Sequence, residues 1–155
     1  MPEVRADGIA VYVYRRVGAG VEFLQILRAK STGEYQQTWQ TVYGGVEKGE
    51  SAVQAALREL LEETGLKPAA MWQVEFLETF YFMPHDYVLV MPVFAVEVAA
   101  EAAIVLGEEH DDFRWVPEAE IGKAFMWRTQ REALAHVLDA LRQESPAMEW
   151  LRVKL

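Results

Sequence analysis

Residues 44–66 read GGVEKGESAVQAALRELLEETGL. Ser51 followed by Gln54 is a capping-box start, and Gly65 stands where a helix C-terminal glycine belongs, so the spacing predicts a helix over 51–64. Val53, Leu57, Leu60 and Leu61 recur at i, i+4, i+7 and i+8 and give that helix an apolar face to dock on a core. Glu59, Glu62 and Glu63, at i, i+3 and i+4, crowd three carboxylates together elsewhere on it. Like charges at this spacing destabilise a helix, and the chain already carries a formal net charge of −9. A positive partner is needed.

Hard divalent cations such as Mg²⁺ and Mn²⁺ take carboxylate oxygens and keep water and phosphate oxygens as their other ligands. Bound at Glu59, Glu62 and Glu63, they would relieve the repulsion. The glycines of GGVEKGE let the backbone turn sharply into the helix and bring a carbonyl near the metal. Arg58 and Glu62, at i and i+4, can pair and hold the glutamate in place. The three glutamates alone would equally suit a solvated acidic helix face. The full spacing goes further.

Gly44, Glu50, Arg58, Glu59, Leu60, Glu62, Glu63, Gly65 and Leu66 fall in the order G-x(5)-E-x(7)-R-E-U-x-E-E-x-G-U, with U aliphatic. This resembles the Nudix box, complete at every position. Seven fixed residue types would coincide at a given start on the order of once in a hundred million. The resemblance implies a Nudix hydrolase, a single domain over 1–155 with an α/β (α+β) fold. That fold is an α/β/α sandwich around a mixed sheet. The implied reaction is Mg²⁺- or Mn²⁺-dependent hydrolysis of a nucleoside diphosphate linked to another group.

It also implies site residues. Glu59, Glu62 and Glu63 would bind metal with the Gly44 carbonyl, Glu50 would support loop and helix, and Arg58 would orient a glutamate. The general base falls to Glu62 or to a glutamate on a later loop, for which Glu109 is the matching candidate and Glu108 its rival. Flanking segments, WQTVYGGVEKGE, EEHDDFRWV and FMWRTQREAL, are similar to the subgroup acting on deoxynucleoside and dihydroneopterin triphosphates. The histidine–aromatic pattern also occurs in diadenosine tetraphosphate hydrolases. Members often form homodimers, although no residue here derives an oligomeric state.

Outside the box, the chain of 155 residues is long enough for one domain with a sizeable core. Strand patterns cover 8–16 and 21–28, a short piece near WQTVY, 71–83, 87–98 and DFRWV; PHD makes a hairpin turn, and a helix is expected from Arg128 to Gln143. In it Ala133, Leu134, Val137, Leu138 and Leu141 keep helical spacing. Zero cysteines exclude disulfides, thiolate metal sites and a thiol nucleophile. The excess of 24 acidic over 15 basic residues argues against a nucleic-acid polymer as partner and still permits a small anion carried in with metal ions; the resemblance implies that this anion is a nucleotide-like diphosphate or triphosphate. No apolar run reaches the ~18 residues of a membrane span and no secretory leader pattern is seen, which together point to the cytoplasm.

Arg28 and Lys48 are the expected phosphate contacts, by fork and by point charge. Trp39, Tyr81, Phe82 and Trp127 can stack on a base or serve the core, with Trp39 preferred for stacking. Trp127 to Arg131 open the last helix, at an end that favours anions. His85, His110 and His136 form no ligand pattern.

Overall fold

The computed structural model describes residues 1–143 and 145–155. Its framework is an eight-stranded mixed sheet made of β1 (Glu3–Arg5), β2 (Gly8–Val17), β3 (Gly20–Arg28), β4 (Trp39–Gln40), β5 (Val42–Gly45), β6 (Ala70–Phe82), β7 (Tyr87–Glu97) and β8 (His110–Pro117). Among the described residues four α-helices accompany it: α1 (Ala52–Thr64), α2 (Ile121–Ala124), α3 (Arg128–Arg142) and α4 (Met148–Leu151). β2 lies at the centre, antiparallel to β3 and β5 and parallel to β7. Strand β1, too short to show a period, runs parallel to β7 and was not foreseen.

Alternation along β2 builds two cores at once. Ile9, Val11 and Val13 pack with Ala55, Ala56 and Leu60 of α1 on one face. Ala10, Tyr12 and Tyr14 pack with Ala133, Leu134 and Val137 of α3 on the other. The result is the expected α/β/α layering. Among the described residues no helix is long and apolar enough to cross a membrane.

The predicted ends of α1 are present. Ser51 Oγ accepts from Gln54 N at 3.2 Å, the Gln54 side chain accepts from Ser51 N at 2.8 Å, and Gly65 takes the left-handed conformation at φ 67° with its N–H on Leu61 O. The buried stripe is rotated from the predicted one. Leu60 is fully buried and Val53 and Leu57 pack against the core, but Leu61 is half exposed, and Ala55, Ala56, Glu63 and Thr64 are buried in its place. Small residues let α1 lie close to the sheet, and that close seat draws Glu63 inward.

Pro92 interrupts β7, where it has no N–H to give. There β6 bulges: Gln73 pairs with Phe94 and Leu77 with Pro92, so extra β6 residues stand opposite Val93. Beyond the bulge, Leu77 is exposed and Glu78 buried.

Removing the cap by Ser51→Ala is expected to destabilise the protein by about 1 kcal/mol, read from the midpoint of urea unfolding. An unchanged midpoint would show that tertiary packing alone fixes the start of α1.

Candidate active site

A cleft of about 1130 Å³ draws its walls from both faces of the sheet. Arg28, Gly44, Glu59, Glu62, Glu63, Glu108 and Glu109 line one part. Tyr35, Tyr43, Glu78, Phe80, Phe82 and Trp127 line another.

Arg58 organises the acidic wall. Its Nε and Nη2 donate to the two Glu50 oxygens at 2.9 and 3.0 Å, Nη1 donates to Glu59 at 2.8 Å and Glu62 at 3.2 Å, and Nη2 also reaches Gly45 O at 2.8 Å. These bonds, Glu50 first, hold the guanidinium charged far above its ordinary range. The same arginine keeps the Glu50 carboxyl below the usual carboxylate range, helped by the Glu47 N–H. Glu50 and Arg58 thus tie the glycine turn to α1.

Glu59 and Glu63 are pushed the other way. Burial raises both above the ordinary value, and Glu63 reaches about 9, with the nearby Glu59 and Glu109 charges adding to the effect and Arg28 opposing it. Glu63 Oε2 is buried with no hydrogen-bond partner. Glu62 is the most open of the three, its side chain 59% exposed.

Two glycines permit this crowding. A Cβ on Gly44 would overlap the Glu59 side chain, and one on Gly107 would stand 2.6 Å from Glu62 O. Gly107 matters because the loop it belongs to finishes α1: Val105 N donates to Thr64 O at 2.9 Å and Gly107 N to Glu63 O at 3.1 Å. Those are carbonyls a helix end leaves unpaired. On the other side Ala29 N donates to Glu109 O at 2.8 Å. Glu108 and Glu109 are thereby carried to the cluster from more than forty positions along the chain.

The donor set suits a hard divalent cation. It consists only of oxygens, it includes a buried carboxylate oxygen lacking a partner, and a Cβ is excluded where the turn meets Glu59. Among the described residues no three Asp, Glu or His side chains enclose a common point as they stand. Glu59 and Glu62 are instead turned to Arg58.

Residues 4–137 match the family model described as the NUDIX domain. The chain belongs to the NUDIX family. Among curated relatives, an RNA pyrophosphohydrolase of Roseobacter denitrificans is 35% identical over 120 residues, 66% of this chain and 73% of that protein. An octanoyltransferase of Myxococcus xanthus is 37% identical over 118 residues, 74% of this chain but 31% of that protein, so the likeness spans about a third of its length. A Caenorhabditis elegans Ap4A hydrolase complex superposes with a TM-score of 0.74 at 19% identity, covering 89% of this chain and 98% of that one, which shows the shared NUDIX fold. The two curated relatives do not carry the name of the pterin and deoxynucleoside triphosphate subgroup that the flanking segments resemble.

The other sequence candidates divide. Arg28 lines the cleft and is fixed by its Nε bond to Glu34 O at 2.8 Å. Lys48 lies in an exposed turn and Trp39 on β4, and neither lines the cleft. The Trp39 ring is covered by the Arg114 guanidinium, 4.2 Å from its centroid, which corrects the preference for it as a stacking residue. Strand alternation turns Tyr81 outward to Asp86 and Phe80 and Phe82 inward. Trp127 does reach the cleft, edge-on to Phe80 at 5.6 Å and Tyr35 at 5.8 Å. His85 and His110 line it as well, while His136 stacks on Phe76 elsewhere. Burial pushes the His110 imidazole down to about 4, so it is neutral.

Residues the sequence reading passed over include Glu78, Tyr43, Phe80, Tyr35 and Arg5. The one signal available was Glu78, an acidic residue on the inward phase of a strand rich in aromatics.

Glu63 makes stability depend on pH. Its folded value of about 9 lies above the ordinary 4.5, so between them the folded state holds a proton that the unfolded state has released, and stability falls as pH rises. In chelator-treated protein, Glu63→Gln is expected to raise the melting temperature at pH 8 and leave it unchanged at pH 4. A lower melting temperature at pH 8 would contradict the uptake of a proton by Glu63 on folding.

Proposed function

We propose that the protein is a divalent-cation-dependent pyrophosphohydrolase that cleaves a phosphoanhydride in a nucleoside triphosphate or a substrate of the same kind. The observation that carries this reading is the buried, partnerless Glu63 oxygen set among Glu59, Glu62 and Glu109, with Arg28 in the same cleft. An acidic wall of this kind repels a phosphate chain unless cations lie between them.

Glu59, Glu62, Glu63 and Glu109 would hold Mg²⁺ or Mn²⁺, with the Gly44 carbonyl beside them. Bound there, such ions supply a water of lowered pKa and neutralise charge on the attacking and leaving oxygens. The remaining steps fall to the chain. Arg58 restrains Glu59 and Glu62 and sets their orientation. Glu62, open to solvent, is the first candidate for accepting the proton of the attacking water, and Glu109 is the second. Arg28 offers a guanidinium to phosphate oxygens, and the aromatic wall of Phe80, Phe82 and Trp127 excludes water beside it.

A second substrate reading is the 5′ end of an RNA, favoured by the name of the relative from R. denitrificans. The net charge of −9 favours contact with the triphosphate end over a long tract of polymer. Dinucleoside polyphosphates and nucleotide sugars fit the same acidic wall. A ligand sensor without turnover would need no general base.

Release of phosphate or pyrophosphate, with Mg²⁺ and then Mn²⁺, from nucleoside triphosphates, dihydroneopterin triphosphate, Ap4A, nucleotide sugars and 5′-triphosphorylated RNA tests the reading. Glu62→Gln is expected to melt like the parent and to lose about 10²-fold or more in kcat. Full activity in that variant would remove Glu62 from the reaction. Arg28→Ala is expected to raise KM about tenfold with kcat nearly kept, the signature of lost ground-state binding.

A further inference from the structure

Glu78 lies in the same cleft, apart from the acidic wall, and phosphate chemistry does not explain it. On β6 it shares a face with Phe80 and Phe82, and all three line the cleft. It is 2% exposed, and among the described residues no arginine, lysine or histidine pairs with it. Its partners are hydroxyls: Tyr12 Oη donates to Oε2 at 2.7 Å, Tyr43 Oη donates to Oε1, and Thr129 Oγ1 reaches Oε1 at 3.3 Å.

An outside donor supports the direction of the Tyr43 bond. Gln130 Nε2 donates to Tyr43 Oη at 3.1 Å, leaving Tyr43 to send its own proton to Glu78. Burial holds both tyrosines protonated, well above their ordinary value. Burial also raises the Glu78 carboxyl, and its hydroxyl partners oppose that rise. Glu78 accepts from all three hydroxyls and stands at the end of the network. A carboxylate buried this way contributes little to stability compared with a well-packed apolar side chain.

A carboxylate offers about four lone-pair sites. The two tyrosines occupy one on each oxygen, and the long Thr129 bond is the one a ligand can replace. One site per oxygen then remains, a pair suited to two adjacent N–H donors. The amino-oxo edge of guanine (2-amino-6-oxo) and of pterins (2-amino-4-oxo) presents that pair, a ring N–H beside an exocyclic amino group. Adenine and cytosine set a donor beside an acceptor, and hypoxanthine lacks the amino group. Phe80, roughly 7 Å along the strand, supplies apolar surface for the ring.

We propose that Glu78 is a specificity-determining residue that reads the donor–donor edge of a guanine or pterin ring. The assignment rests on the reading of the acidic wall as the phosphate end of the cleft. β5 joins the two ends, since Tyr43 bonds Glu78 and the next residue, Gly44, lies against Glu59.

Equilibrium binding of analogues of GTP, ITP and ATP in which both the α,β and the β,γ bridging oxygens are replaced by imido or methylene groups, by calorimetry with Mg²⁺, tests this without turnover. The guanine analogue is expected to bind about tenfold or more tightly than the adenine analogue, with the inosine analogue weaker than guanine. Glu78→Gln, which sets an N–H against a ring donor, is expected to abolish the preference while other contacts persist. Equal binding of the guanine and adenine analogues by the parent protein, or binding of none, overturns the proposal even if the variant fails to fold. Dihydroneopterin monophosphate against GMP separates the two sources: the tighter one is the ring the site takes, and binding of neither above AMP counts against both. Guanine-selective binding without turnover would keep this inference and remove the hydrolase reading, whereas turnover without selectivity would do the reverse.

Discussion

Arg58 places a single guanidinium against Glu50, Glu59, Glu62 and the Gly45 carbonyl, so one side chain joins the glycine turn, the start of α1 and its acidic face. The fork geometry of arginine is what allows this, because five fixed N–H donors can serve several acceptors at once. Glu50 and Arg58 are each only partly exposed, which strengthens the pair relative to an open surface bridge. Without that tie nothing local would hold the carboxylates of α1 near one another against their repulsion.

The repulsion is a second constraint. Glu62 and Glu63 fall in the last turn of α1, where the helix dipole already disfavours negative charge. The loop ending at Glu109 donates its backbone N–H groups to the same helix end, which satisfies the orphan carbonyls but brings further carboxylates close. The folded chain therefore carries a localised electrostatic cost that bound cations would relieve. A protein selected for stability alone would have no reason to keep it.

The two buried carboxylates of the cleft illustrate how environment separates similar groups. Glu63 is surrounded by other carboxylates and has an oxygen with no partner, whereas Glu78 is surrounded by hydroxyl donors that all point to it. The first is suited to a cation and the second to a neutral donor edge. One acidic residue type thus serves opposite ends of a single cleft.

Much of this chain was determined by its sequence alone. The cap residues Ser51 and Gln54, the C-terminal Gly65, the strand periods and the spacing of Glu59, Glu62 and Glu63 depend on neighbours within a turn or two, and local chemistry is legible in local order. The family resemblance adds the partners those residues would take for the same reason, since its motif is continuous. What only the tertiary structure decided involves distant segments. Leu61 turns outward because close packing of Ala55 and Ala56 sets the rotation of α1, and Trp39 is lost to stacking because Arg114 from β8 covers it. Tyr12, Tyr43, Glu78 and Thr129 come from four separate elements and meet only when α3 covers that face of the sheet. Burial and long-range hydrogen bonding depend on that assembly, and no periodicity along the chain encodes it.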